Sequence, residues 1–282
     1  MKVNNKFISG VYDKLDLPIR FLYCRVPFLS KILFWKLYSS DFEKLDSKFE
    51  EMKNVVTKNN FNFKNKVCLE LGPGNSYINA YNLLMNGAKQ VILVDKYSRY
   101  LKAKKQKEFF NHELDFIKQK YGQKDLFFIK KGKINHKYIK FIEGDLTEVQ
   151  IENKVDFILS ISVFEHIKNV ETVIKKLAGL IKKKGFMYHA IDMRDHYNFN
   201  NPFLFYKYSD QTWEKYLTKE GVSFTNRVRY DEYIDLFKKY GLEVIFEKVE
   251  KFPLPKKIAD NFFNSKEIKN IGVANLLIGK ND

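Results

Sequence analysis

Between residues 67 and 192 short apolar runs alternate with stretches of helical character, and this alternation leaves the chain few folds to choose from. VCLELG (67–72) precedes a helical stretch over 77–86, and QVILVD (90–95) precedes a long basic helix reaching about residue 121. YIKFIEGDL (138–146) follows, then VDFILSIS (155–162), a helix through about residue 183, and GFMYHAID (185–192). Toward the C-terminus a helix over 230–240 leads into LEVIFEKVE (242–250), and VANLLIGK (273–280) is a seventh strand. Strands interleaved with helices in this way predict a mostly parallel sheet with helices on both faces, an α/β architecture.

Residues 1–60 read differently. An amphipathic helix is expected over 41–58, and the segment IRFLYCRVPFLSKILFWKLY (19–38) is aromatic and apolar. Arg20, Arg25, Lys31, Lys36 and Pro27 interrupt that segment, which argues against a membrane span. Such a stretch packs as a helical cap or lid on its own domain, or lies on a membrane surface through its basic amphipathic character. With no repeat and no low-complexity linker, the economical organisation is a cap over 1–60 and a single α/β domain over 61–282.

The 282 residues are long enough for one sizeable core, and 45% hydrophobic with 30% charged residues describes a globular chain. Two cysteines, Cys24 and Cys68, without CxxC spacing fit a reducing cytoplasm rather than a disulfide framework or a zinc ribbon. The N-terminus has no apolar signal core, so a cytoplasmic protein is expected, with peripheral contact at the inner membrane face as the variant that the 19–38 segment allows. The net charge is +16, and residues 96–140 hold 14 Lys and Arg against 4 acids. Such a surface attracts nucleic acid, lipid headgroups or an anionic substrate, or is simply solvated.

Function is concentrated where the first strand ends. Glu70 is followed by Gly72-Pro73-Gly74-Asn75-Ser76, and glycines at such a point let backbone approach a ligand. The G-x-G-x-x-G dinucleotide pattern fails, because Tyr77 stands at the third glycine position. Glu70 would moreover repel a pyrophosphate and attract an ammonium group. Asp95 closes the second strand 25 residues after Glu70, close to the spacing at which an acid meets a ribose. Asp145 closes the third, within EGDL.

ELGPGNS, the acid of VILVD, EGDL and the run SISVFEHI (160–167), in that order, resemble the class I S-adenosylmethionine-dependent methyltransferases over about residues 65–192. The resemblance implies a Rossmann-like, doubly wound, seven-stranded and mostly parallel sheet with an antiparallel last strand. It also implies S-adenosyl-L-methionine as cofactor and S-adenosyl-L-homocysteine as product. Glu70, Gly72, Gly74, Asn75 and Ser76 would lie at the methionine end, Asp95 and Lys96 at the ribose, Asp145 and Leu146 at the adenine, and Ser162 beside them.

Methyl transfer to oxygen wants a positioned acceptor and a base. His189, Asp192, His166 and His196 follow the fourth and fifth strands and are the catalytic candidates. His189 has the alternative of a satisfied core histidine. A metal held by His189, Asp192 and His196 matches no standard spacing, and none is expected. The aromatic insertion around 195–230 would form the acceptor pocket, with Tyr197 and Trp213 as stacking faces and Arg194, Arg227 and Arg229 for an anionic group. These runs resemble bacterial small-molecule and sugar methyltransferases of surface-polysaccharide clusters, which points to O-methylation of a sugar or sugar phosphate.

The main rival is an RNA or other nucleic-acid methyltransferase, suggested by charge. It would want an N/D-P-P-Y/F clamp after the fourth strand, where Ser160-Ile161-Ser162-Val163-Phe164 stands instead. A rival of another class is an inactive, membrane-associated scaffold. The three intact acids argue against it. A small-molecule acceptor, with no nucleic acid, is the expectation.

Overall fold

The computed structural model describes residues 18, 41–96, 103–196, 201–213, 215, 225–255, 258 and 270–280. In chain order the elements are α1 (Phe42–Lys58), β1 (Val67–Leu71), α2 (Ile78–Met85), β2 (Gln90–Asp95) and α3 (Ala103–Tyr121). A short hairpin of β3 (Ile129–Lys130) and β4 (Lys133–Ile134) leads to β5 (Ile139–Glu143) and β6 (Val155–Ile161). Then come α4 (Val170–Leu180), β7 (Ile181–Asp192), α5 (Tyr230–Lys239), β8 (Leu242–Lys251) and β9 (Ile271–Lys280).

Seven strands form one sheet in the order β5-β2-β1-β6-β7-β9-β8. β5, β2, β1, β6 and β7 pair in parallel, and β9 runs antiparallel to both its neighbours. This is the doubly wound sheet with an antiparallel last strand that the motif order implied. The strand order reverses between β1 and β6, so the loops after these two strands face each other across the switch point, where ligands of open α/β sheets bind.

Two apolar cores sandwich the sheet. On one face α1, α2 and α3 contribute Phe49, Met52, Tyr81, Leu84 and Ile117. On the other, α4 and α5 contribute Val173, Leu177, Tyr233 and Phe237. α1 starts where Asp41 accepts a hydrogen bond from the Lys44 amide at 2.9 Å, a side-chain N-cap. Its Phe49, Met52 and Val56 are fully buried at helical spacing. Lys120 of α3 ties α1 down by donating to Asp46 at 2.5 Å and Glu50 at 2.7 Å. The segment over 19–38, with its cap and membrane readings, lies outside the described residues.

Two elements differ from expectation. The helix after β6 stops at Leu180 instead of continuing to about 183, and Ile181 turns extended and pairs with Val155. Lys182, Lys183 and Lys184 offer no apolar group for a helical stripe to bury, whereas an extended Ile181 is fully buried. The β3–β4 hairpin, with two residues in each strand, was not foreseen.

Candidate active site

The loop after β1 is shaped by its glycines and by carboxylates from three elements. Gly72 has φ +67°, and a Cβ there would stand 2.6 Å from Cγ2 of Val163. That close approach joins the loop to the turn after β6. The Gly72 amide donates to the Val94 carbonyl at 2.8 Å, and the Gly74 amide donates to Oδ2 of Asp95 at 2.9 Å. The Asp95 side chain thus shapes the loop as well as closing β2. Ser76 is buried, with its Oγ facing the Ile78 amide at 3.4 Å, and Asn75 is half-buried beside it.

Glu70 is 3% exposed. Asn79 of α2 donates to its Oε1 at 2.8 Å, while Oε2 has no hydrogen-bond partner. Burial pushes its pKa up to about 8, and the charges of Asp95 and Glu113 push the same way against the Asn79 hydrogen bond. Glu113, fully buried on α3, escaped sequence reasoning. It accepts from the Tyr77 amide at 2.8 Å and so caps the start of α2. The available signal was an acid four residues before buried Ile117, on the apolar face of its helix.

At the next strand end Asp145 accepts from the amide and hydroxyl of Thr147 at 2.9 and 2.7 Å. Lys96 lies 3.6 Å away. Partial burial pushes the Asp145 pKa up, but Thr147 and Lys96 outweigh it and hold the carboxyl below its ordinary range. The Leu146 side chain is buried in the core beneath. Ser162 is exposed with φ +54°, and its amide donates to the Ala190 carbonyl at 2.8 Å.

The acceptor-side candidates separate into two groups. Asp192, Arg194, His196 and His166 come together. Arg194 clamps Asp192 through Nε at 2.8 Å and a terminal nitrogen at 2.7 Å. Nε2 of His196 stands 3.8 Å from Asp192, and the His196 ring meets that of His166 edge-on at 5.0 Å. Burial lowers the His196 pKa, and Asp192 opposes that shift. Two neighbours went unnoticed in the sequence. Glu165 is 1% exposed, and burial raises its pKa to about 8. The amides of Glu165 and Asp192 favour its charged form, yet neither carboxylate oxygen closes a hydrogen bond of good geometry. Lys48 of α1 is half-buried, and its pKa is lowered by burial and by Lys44, with Asp192 and Glu165 pulling the other way.

The second group is built into the scaffold. His189 is fully buried, with Nδ1 2.8 Å from the Ser160 hydroxyl, and its ring stacks on Phe237 and meets Phe164 edge-on. Burial drives its pKa down to about 3. The structure therefore places His189 in the core, as a packed histidine and not an exposed base. Arg229 donates to the carbonyls of Met193 at 2.8 Å and Ile271 at 2.9 Å, and lies over the rings of Phe203, Phe205 and Tyr206. Arg227 donates to the Tyr208 carbonyl, pairs with Asp210 and stacks over Trp213, itself 5% exposed. These arginines and Trp213 hold the insertion together instead of offering free faces. Tyr197 lies outside the described residues. Among the described residues no group of three or more His, Cys, Asp or Glu side chains is arranged to hold a metal ion.

A doubly wound sheet with carboxylates at the ends of β1, β2 and β5, around a glycine loop at the switch point, defines a nucleoside-cofactor fold. A family profile described as "Methyltransferase domain" matches residues 44–247. The chain belongs to this family and is a class I S-adenosylmethionine-dependent methyltransferase. No curated protein matches it. Among solved structures it is similar to a protein provisionally assigned as a sarcosine dimethylglycine methyltransferase from Galdieria sulphuraria. That match has 13% identity and a TM-score of 0.52, covering 84% of this chain and 86% of that one. It is similar also to the magnesium protoporphyrin IX methyltransferase of Synechocystis PCC 6803 with bound S-adenosylhomocysteine. There the identity is 12% and the TM-score 0.49, with 95% and 99% covered.

The residues present fit the cofactor. The unpartnered, buried Oε2 of Glu70 suits an ammonium donor, and the acids surrounding the loop disfavour a phosphate there.

Proposed function

We propose that this methyltransferase methylates an oxygen of a small-molecule acceptor, a sugar or sugar phosphate of surface-glycan assembly. The observation that carries the small-molecule reading is the His166–His196–Asp192–Arg194 cluster, joined to the glycine loop through the Val163–Gly72 contact. The sugar class is supported by the resemblance of the sequence runs around the aromatic insertion.

S-adenosylmethionine, when bound, supplies an electrophilic methyl group on a sulfonium sulfur. Glu70 would hold its ammonium group, Asp95 its ribose hydroxyls and Asp145 its adenine edge. His196 takes the acceptor's hydroxyl proton as the oxygen attacks, and burial keeps its imidazole neutral and ready to accept. Asp192 then faces the resulting imidazolium, and Arg194 keeps that carboxylate oriented. With Arg227 and Arg229 engaged elsewhere, Lys48 is the half-buried cation that would meet an anionic acceptor group. A cytoplasmic location belongs to the same proposal. Among the described residues no helix is long and apolar enough to cross a membrane.

The test is a methyl-transfer screen of nucleotide sugars, phosphorylated sugars and RNA with the purified full chain. A sugar product of one added methyl is expected. His196→Asn should lower its rate about a hundred- to ten-thousandfold with cofactor affinity retained. Transfer to RNA and to no sugar would overturn the reading.

A further inference from the structure

The β3–β4 hairpin lies far from this chemistry. β5 begins beside it and ends next to Asp145, and at about 3.3 Å per residue the five-residue strand separates the two ends by roughly 17 Å. The hairpin is rooted in the core. Phe128 is fully buried and stacks on Tyr81 at 5.1 Å, and the Asn135 amide returns to the Phe128 carbonyl at 2.8 Å. Its turn is Lys131-Gly132, both at positive φ (51° and 70°), the type I′ geometry that matches strand twist.

What it displays is unusual. Lys130 stands directly opposite Lys133 with Lys131 between them at the turn, and all three are exposed. Like charges across a strand pair destabilise it. Among the described residues no carboxylate pairs with them, and across residues 122–142 there are six lysines and one acid, Asp125. Lys124, Lys130, Lys131, Lys133 and Lys140 are exposed and make no ion pair with a described carboxylate. Among these lysines stands Phe127, 48% exposed, the most open large apolar side chain of the described residues. It is propped edge-on against Tyr138 at 5.0 Å, and Lys137 lies over that ring at 5.4 Å. A hairpin tip is convex. It has no groove to track a nucleic-acid strand and no second open ring for successive bases. A convex tip of lysines around one apolar ring suits a flat anionic surface, with the ring entering the interface and the ammonium groups among the headgroups.

We propose that the β3–β4 hairpin, with Phe127 and Lys130, Lys131 and Lys133, is a docking surface for anionic phospholipid membranes. It would hold the enzyme at a bilayer by the end of the sheet opposite its cofactor loop. The proposal does not depend on the identity of the acceptor.

Vesicle sedimentation of the full chain tests it, using phosphatidylcholine with and without phosphatidylglycerol. Binding should require the anionic lipid and weaken with salt. K130Q/K131Q/K133Q should weaken it about a hundredfold, since each lysine near such a surface contributes about a fivefold factor, and should reduce the salt dependence. F127S should weaken binding while leaving the salt dependence as it was. K175Q/K183Q/K184Q removes equal charge from another exposed region and should matter little. Unchanged cofactor affinity by calorimetry certifies that each variant is folded. No wild-type binding would overturn the proposal, as would equal losses in the two triple variants or binding that survives the hairpin changes. Hairpin-dependent binding of polyuridylate in place of vesicles would assign the surface to nucleic acid instead.

Discussion

Glu70→Gln separates the electrostatics of the cofactor loop from its shape. Glutamine keeps the oxygen that accepts from Asn79 and removes the ionisable group. In the folded chain Glu70 titrates near 8, against an ordinary 4.5, because burial disfavours its charge. The folded state therefore holds a proton that the unfolded state releases between these two values. The stabilisation is full below about pH 4.5 and is lost as pH rises toward 8. At pH 7 the loss amounts to roughly 3 kcal/mol relative to acid solution. Between pH 6.5 and 8 alone it is about 1–2 kcal/mol, and buried Glu165 adds a similar slope. Denaturant melts of the cofactor-free protein across pH 6.5–8 should show stability falling, and Glu70→Gln should remove about half of the fall. The cofactor's ammonium favours the charged carboxylate, so binding at pH 7 should release a proton. That release is read by calorimetry in buffers of different ionisation enthalpy. Glu70→Gln should abolish it and weaken binding by about ten- to a hundredfold, the range of a hydrogen bond to a charged group. An unaltered pH slope, or proton release that persists in the variant, would refute the reasoning.

Gly72→Ala places a Cβ 2.6 Å from Val163 at a φ of +67°. It should cost about 2–4 kcal/mol in thermal denaturation, and adding Val163→Ala should recover the steric part but not the backbone strain. Arg229→Met strands the carbonyls of Met193 and Ile271 and should destabilise the fold by about 2–5 kcal/mol. A variant of wild-type stability with a raised KM would instead make Arg229 an acceptor ligand. His189 is held neutral by burial, with its pKa near 3 rather than 6.5. The stability this contributes is present above pH 6.5 and is lost as pH falls toward 3, so His189→Leu should flatten that acid limb while leaving cofactor affinity intact.

The sheet was legible because each strand is a compact apolar run closed by a polar residue, and Glu70, Asp95 and Asp145 mark three of those closures. What stayed hidden depended on contacts across long separations. Glu113 reads as one more acid of a charged helix until the fold sets it on the Tyr77 amide. Lys48 lies about 120 residues before the Glu165 whose charge it feels. The arginines of the insertion were expected to face an acceptor because arginine suits anions. A buried guanidinium is equally satisfied by backbone carbonyls and aromatic faces, and sequence cannot tell which partner the fold supplies.

Asn226 shows how the two halves of the site are held as one. Its side-chain nitrogen donates to the carbonyls of Phe164 at 2.7 Å and Ile167 at 2.8 Å, and its amide donates to the carbonyl of Glu165 at 2.7 Å. These are the carbonyls of the 3₁₀ turn that carries His166, so a residue just before α5 fixes that turn. Two and three residues on, Val228 and Arg229 continue from Asn226 into the core and the aromatic insertion, where Arg229 reaches back to Met193, next to Asp192. The turn after β6 and the end of β7 are thereby anchored by one short segment, 226–229. A displacement of that segment would move His166 and Asp192 together, so the ring that His196 meets and the carboxylate it faces keep their relation to each other.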